Sequence, residues 1–289
     1  MNILVNGMQG LGDTIYQRPF IKSLANKYAK VYVETAWPEL LEDIDNIYFV
    51  KSETRLRTQS KNVASQDQSR WVSKPSGLKT ITIRYGHKEM RTMSIPEAMK
   101  SYFCTNPVEW DLPVYEKSPV IGKYAVIRPV TARSEWPNVA RNCHSDYIKQ
   151  ASLLLKEAGY TVVSIADLEY GKEVLIGDEP YSDVKFHNGE LSVKEIIALV
   201  NEACVVVSAV GFMAPMTMAL GIPYICILGG MGGHNRPDRI SSDTLPNNNK
   251  ISWIEPDNFC MCTDMKHECD KTISNFEKVF KEELKWVTR

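Results

Sequence analysis

Several features that would settle the class of this protein at once are missing from its sequence. No apolar run approaches the roughly 18–20 residues of a membrane-crossing helix, so no transmembrane contact is expected. No secretory leader is visible, because Met1 opens directly into the strand-like run Asn2-Ile-Leu-Val-Asn6. The seven cysteines include no C-x2-C pair, and an odd number without an export signal points to a reducing cytoplasm rather than a disulfide framework. The net charge is only −1, which on average favours neither nucleic acid nor a membrane surface. Asp-x-Asp occurs once, as Asp43-Ile-Asp45, and reads as a solvated helix end rather than a metal site.

What is present is an ordinary globular composition, 44% hydrophobic and 24% charged, in 289 residues, a length suited to two domains. The charge is unevenly spread. Between Lys51 and Arg91 ten basic residues face three acids, a surplus of seven that leaves the rest of the chain at minus eight. β-branched runs alternate with helical segments in both halves, which implies parallel βαβ units. The Pro-containing stretch 106–122 separates them. The expected architecture is therefore α/β, two Rossmann-like doubly wound domains facing a central cleft: residues 1–120, carrying a basic loop at 51–79, and residues 121–289, closed by a C-terminal helix.

The first candidate site is Asn6-Gly-Met-Gln-Gly-Leu-Gly-Asp13, after a strand and opening a helix. Its glycines permit a tight turn and close ligand approach, and the helix N-terminus offers unpaired amides. The order is G-x-x-G-x-G, and the nearest candidate acid, Glu34, lies 27 residues beyond Gly7. A dinucleotide fingerprint has G-x-G-x-x-G with an acid about 20 residues on, which argues against a nicotinamide oxidoreductase without removing it. Asp13 can be a plain helix-start acid. It can equally be a general base that takes the proton of an attacking hydroxyl.

The run Gly10-Leu-Gly-Asp13-Thr-Ile-Tyr-Gln-Arg-Pro19 resembles the opening of the family 9 glycosyltransferases, the heptosyltransferase group. Tyr124-Ala-Val-Ile-Arg-Pro129 with Arg133-Ser-Glu-Trp-Pro137 is similar to that family's strand and Lys-x-Trp-Pro segment. Val205–Gly211, Ala219–Pro223 and Ile227–Gly230 are similar to its donor-binding strand, helix and next strand. The resemblance implies a GT-B glycosyltransferase with Asp13 as base, an inverting reaction, and a nucleotide-diphosphate sugar held by the second domain. There are departures. Val210-Gly-Phe212 and Pro215 stand where the family has Asp-Ser/Thr-Gly and His, and Ser134, beside Arg133, stands where it has a phosphate-binding Lys. The resemblance therefore does not extend to ADP-heptose as the donor.

On the donor side the expected ligands are Arg128 and Arg133 for the diphosphate, near Arg141, with Gly211, Phe212 and Met213 at a strand-to-helix turn. The loop Gly229-Gly-Met-Gly-Gly-His-Asn235 adds Gly230, Gly232, Gly233, His234 and Asn235. Four glycines in five residues imply close contacts that side chains would forbid. Glu190, before a helix, is a candidate for the ribose. Cations and a helix N-terminus would stabilise the departing nucleotide, so no cofactor is expected to be required for catalysis. Cys260, Cys262, His267 and Cys269 form C-x-C-x4-H-x-C, a set that zinc or iron would accept in a structural site. Some members of the resembled family carry a cysteine-held iron.

The acceptor is expected on the first domain, with Gly10, Leu11, Gly12, Arg18, Trp71, Tyr85 and His87 as its contacts. The basic stretch suits an anionic acceptor, a lipopolysaccharide core or other surface glycan. The alternative is a hydroxymethylated base in DNA, whose phosphates the basic loop would track. A non-catalytic sugar-nucleotide-binding protein is a further reading.

Overall fold

The structure is a computed structural model and describes residues 1–246, 250–265 and 267–289. The chain forms two units, Met1–Pro113 with Asp238–Pro246, and Val114–Pro237 with the C-terminal stretch to Arg289. The boundary lies a few residues before the expected 120, because Ser118 bonds to Glu202 and to the Tyr124 hydroxyl. The return segment 238–246 rejoins the first unit, where the Ile240 carbonyl accepts from Tyr16 and Arg239 donates to the Arg91 carbonyl.

The first unit is built from β1 (Asn2–Asn6), α1 (Leu11–Ala25), β2 (Lys30–Thr35), β3 (Ile47–Lys51), α2 (Arg57–Ser65), β4 (Trp71–Val72), β5 (Lys79–Thr82), α3 (His87–Met90) and α4 (Ile95–Phe103). Its strands run parallel in the order β4-β3-β2-β1-β5. Ile3, Val5, Val31 and Val33 are buried, as parallel strands covered by helices require. Helix α4 starts in a capping box, the Ser94 hydroxyl accepting from the Glu97 amide while Glu97 accepts from the Ser94 amide.

Part of the basic stretch 51–79 departs from the loop that composition predicts. It contains α2 and the edge strand β4. Helix α2 buries only Gln59 and Val63, too narrow a stripe for an apolar period to register. Polar contacts tether it instead: Asn62 donates to the Ala36 carbonyl and to Glu39, and Gln66 donates to Glu39. Arg70 pairs with Glu42 and Lys74 with Glu34, so part of the local positive surplus is spent on acids that sequence distance hides.

The second unit contains β6 (Tyr124–Arg128), β7 (Thr131–Arg133), α5 (Ser145–Glu157), β8 (Thr161–Ile165), β9 (Glu173–Leu175), β10 (Val184–Phe186) and α6 (Val193–Asn201). There follow β11 (Val205–Ser208), α7 (Met213–Leu220), β12 (Tyr224–Ile227), α8 (Gly232–Asn235), α9 (Pro237–Ile240, at the unit boundary), β13 (Ile251–Ile254) and α10 (Phe276–Val287). Six strands form a parallel sheet, β10-β8-β6-β11-β12-β13, the order of a doubly wound dinucleotide-type fold. Val205, Val206 and Val207 are all fully buried, and each contributes roughly 1.5–3 kcal/mol of burial. Gly159 and Gly221, both at positive φ, end α5 and α7 as the sequence suggests. The short antiparallel pair β7–β9 was not legible, being three residues a strand.

Candidate functional site

In the first unit the chain leaves β1, builds β2, β3 and β4 outward, and returns on the other side of β1 as β5. Ligands of such sheets sit beyond the carboxyl ends of the strands at this reversal. Here Asp13, from the β1–α1 loop, meets Tyr85, three residues past the end of β5. The Tyr85 hydroxyl donates to Asp13 Oδ1. The loop itself is clamped by Gln17, 2% exposed and one turn along α1 from Asp13. Gln17 Oε1 accepts from the Met8 amide at 3.2 Å, and Nε2 donates to the carbonyls of Met8 and Asp13 at 2.9 and 3.0 Å. Gly7 must be glycine for this clamp, since a Cβ there would lie 2.1 Å from Gln17 Oε1. A Cβ on Gly10 would lie 2.3 Å from Asp13 Oδ2, so the carboxylate folds back over the residue that precedes the helix. Trp37 Nε1 donates to the Gln9 carbonyl and Gln9 Nε2 to the Gly7 and Glu34 carbonyls, completing the brace.

Arg18, expected among the acceptor contacts, must be corrected. It is wholly buried, its guanidinium held by Asp43 at 2.6–2.7 Å, Asp111 at 3.2 Å and the Leu40 carbonyl at 2.7 Å. Burial works against this charge, yet the hydrogen bonds to Asp43 and Asp111 outweigh it and raise the guanidinium above its usual range. It is a structural ion-pair hub. Trp71 is also displaced from the others, since β4 is the far edge of the sheet, three strands from β1. His87 is exposed, two residues beyond Tyr85, among the exposed cations Arg84, Lys88 and Arg91. Leu11 and Gly12 occupy the first turn of α1 beside Asp13. The Glu34 carboxylate, which a nicotinamide reading would give to a ribose, pairs with Lys74 at 2.6 Å.

The second unit reverses between β6 and β11, and a pocket opens there, lined by Arg128, Arg133, Asn138, Arg141, Ser208 and Val210 among others. Glu173, 1% exposed on β9, is shared by two of the guanidiniums, with Arg128 NH2 at 3.4 Å and Arg133 Nε at 3.6 Å, and it accepts from Thr131 at 2.8 Å. Burial pulls the Arg128 guanidinium down to about 10. Glu173 opposes that, while Arg133 and Arg141 push in the same direction as burial. A desolvated cation crowded by like charges is stabilised by an incoming anion. Phe212, at the start of α7, lies under the Arg128 guanidinium at 5.4 Å. Gly211 is at ordinary negative φ, and a Cβ on it would meet nothing within 4 Å. Nothing among the described residues therefore requires glycine at that position.

No family model matches the chain, and no curated protein does. Solved structures do. TibC, a bacterial iron-containing dodecameric glycosyltransferase from enterotoxigenic E. coli H10407, is 13% identical over 99% of this chain and 78% of its own, with a TM-score of 0.65. The ADP-heptose lps heptosyltransferase II of E. coli is 14% identical over 100% and 98%, with a TM-score of 0.60. A family 9 glycosyl transferase from Veillonella parvula DSM 2008 is 12% identical over 99% and 97%, also with a TM-score of 0.60. The fold is that of the GT-B glycosyltransferases.

Within that fold the glycine-rich loop after β12 has an internal reason for its composition. A Cβ on Gly229 would lie 2.1 Å from the Asn142 carbonyl oxygen, on Gly230 2.4 Å from that of Ala140 and 2.6 Å from Cys269 Sγ. On Gly232 it would lie 2.3 Å from the Cys260 carbonyl oxygen, and on Gly233 2.8 Å from that of Cys262. The amides of Gly232 and Gly233 donate to those same two carbonyls at 2.8 and 3.0 Å, and the Met231 amide donates to Cys262. The loop is pressed onto the cysteine segment. His234 is 9% exposed, and Asn235 folds back on the Met231 carbonyl, so neither presents itself openly. Met213 is also interior, its side chain fully buried. Glu190 is exposed after the edge strand β10, holding the amide and side chain of Asn188, two strands away from β6.

The ligand atoms of Cys260, Cys262, His267 and Cys269 all lie within 4.8 Å of one another. Cys262 Sγ is 3.2 Å from Cys269 Sγ, and His267 Nδ1 is 3.2 Å from Cys269 Sγ and 3.6 Å from Cys260 Sγ. A tetrahedral zinc sets ligand edges of about 3.6–3.8 Å for imidazole and thiolate donors, so the group fits a metal with small adjustments. Sequence reasoning missed Gln17 and Glu173. Gln17 is separated from Met8 by nine residues with no motif to flag it, and Glu173 lies 45 residues from Arg128 on a strand too short to recognise. No described helix is long and apolar enough to cross a membrane.

Proposed function

We propose that this chain is a glycosyltransferase that moves a sugar from a nucleotide-diphosphate donor to a hydroxyl of an anionic acceptor, with inversion and with Asp13 as general base. The observation that carries the reading is the arginine pocket at the reversal of the second unit. There Arg128 and Arg133 share one buried carboxylate beside a glycine, Gly211, that no contact among the described residues requires. Such a wall suits a diphosphate, and its guanidiniums would take up the charge that grows on the departing nucleotide. TibC has been solved with ADP-D-β-D-heptose and another E. coli heptosyltransferase, WaaC, with ADP, which supports a nucleotide-sugar partner.

The acceptor is read from the other unit. Arg84, His87, Lys88 and Arg91 are exposed on the segment that carries Tyr85 to Asp13, and they favour a negatively charged acceptor such as a phosphorylated surface glycan. Asp13 would accept the hydroxyl proton as that oxygen attacks the anomeric carbon and the bond to the diphosphate breaks on the opposite face. The Cys260, Cys262, His267 and Cys269 group would hold a structural zinc or iron, TibC being described as iron-containing. Such an ion would pin the cysteine segment against the glycine loop.

A thermal-shift screen with UDP-, ADP-, GDP- and CMP-sugars, NAD and duplex DNA tests the reading. Stabilisation by one nucleotide-sugar, lost in Arg133→Ala, supports it. Stabilisation by NAD alone overturns it, and a salt-sensitive response to DNA moves the acceptor to nucleic acid.

A further inference from the structure

Tyr85, expected from the sequence to contact the acceptor, has a partner within the fold. Strand β5 returns beside β1, with Thr82 paired to Asn6, so the two chains leave the sheet at the same edge. The Ile83 amide extends that pairing by donating to the Asn6 carbonyl at 3.0 Å. Two residues later the Tyr85 hydroxyl reaches the Asp13 carboxylate. From the Asp13 side, Gln17 fixes the backbone through the Asp13 carbonyl and both polar groups of Met8. Gly10 makes room for the carboxylate to lie back over the helix start. The carboxylate is therefore held from two independent elements, by backbone through α1 and by side chain from beyond β5.

We propose that Tyr85 is a positioning residue for the general base, donating its phenolic hydrogen to Asp13 Oδ1 and so fixing the orientation and ionised state of the carboxylate. This rests on the reading of Asp13 as base. A hydrogen bond donated to a carboxylate favours its charged form, and a phenol can donate without bringing a competing charge. One oxygen is thereby committed to Tyr85. The carboxylate is also prevented from rotating about its terminal bond, which matters for a group that must take a proton from a substrate in one orientation. Tyr85 belongs to the same cationic segment, 84–91, that favours an anionic acceptor, so acceptor binding and base orientation would be mechanically linked through one short stretch of chain.

The test needs no knowledge of the acceptor. The carboxyl carbon of Asp13 is followed by NMR in protein labelled at aspartate carboxyls, its signal being the one missing in Asp13→Asn. In Tyr85→Phe, which keeps the ring and loses only the hydroxyl, the Asp13 signal is expected to titrate about one to two pH units higher than in the unaltered protein. Identical titration in the two proteins overturns the proposal. In parallel, slow transfer to water is measured with whichever nucleotide-sugar stabilises the protein. Tyr85→Phe should lose about tenfold or more at low pH and recover as pH rises, with the KM for the donor unchanged. A uniform loss at all pH values would overturn positioning of the base in favour of a merely structural role. If Asp13→Asn turns the donor over as fast as the unaltered protein, the reading of Asp13 as base fails, whatever the NMR titration gives. The two failures are thus separately visible. Should Tyr85→Phe not fold, fluorotyrosine incorporated in place of tyrosine strengthens the phenolic donor without removing it, and the Asp13 signal should titrate lower; an unmoved Asp13 signal there overturns the proposal.

Discussion

The two units use arginine in opposite ways. In the first, Arg18 is fully buried and faces two carboxylates and two carbonyls, so its charge is answered within the fold. In the second, Arg128 and Arg133 divide one buried carboxylate between them, and Arg141 lines the same pocket. The balance of partners, not the residue type, separates a guanidinium answered by two carboxylates from two guanidiniums that share one. The sheets sharpen the contrast. Each reverses once, beside β1 in one and β6 in the other, yet the first presents a carboxylate held by a phenol and the second a cationic wall. Under the proposed function, the first unit would provide the base and the second the anion site that glycosyl transfer requires.

The largest expected effect tests that division of labour. Asp13→Asn should lower transfer by about 10²–10⁴-fold while leaving nucleotide-sugar affinity within about twofold, measured by turnover and calorimetry. Comparable losses in both would place Asp13 in the donor site and break the comparison. Next, Arg18→Ala should destabilise the protein by roughly 2–4 kcal/mol in urea unfolding, since it takes the guanidinium from Asp43 and leaves Asp111 with Lys22 alone. Arg133→Ala should leave stability nearly unchanged but weaken nucleotide-diphosphate binding by about 30-fold or more. Similar behaviour of the two arginine variants would mean that both guanidiniums serve the fold alone.

Chelation should act on the second unit alone. Removing a metal from the cysteine group is expected to lower the melting temperature by about 3–6 °C. It should also speed hydrogen exchange at the Gly232 and Gly233 amides, which donate to Cys260 and Cys262, with no change around Gly7–Asp13. The smallest effect separates two glycines. Gly211→Ala should fold normally and lose about tenfold in donor affinity, because its Cβ enters open space. Gly232→Ala should destabilise the protein, because its Cβ would overlap the Cys260 carbonyl.

Much of this molecule was legible in the chain itself. The alternation of β-branched and helical runs, the caps at Gly159, Ser192 and Gly221, and the Gly-Asp start of α1 all express local rules of backbone and capping, and they fixed the architecture. The spacing of Cys260, Cys262, His267 and Cys269 likewise announced a cluster, because residues so close in sequence have little freedom to separate.

Only the tertiary structure decided how each charge is answered. Arg18 meets Asp111 across 93 residues and Arg128 meets Glu173 across 45. Tyr85 reaches Asp13 only because β5 returns beside β1. Among the glycines after β12, Gly229 and Gly230 are demanded by the upstream carbonyls of Asn142 and Ala140, and Gly232 and Gly233 by the downstream cysteine segment, contacts that composition can suggest but cannot place. Local preference acts over a few residues, whereas the pairing of charges and the exclusion of side chains depend on which strands the topology brings together.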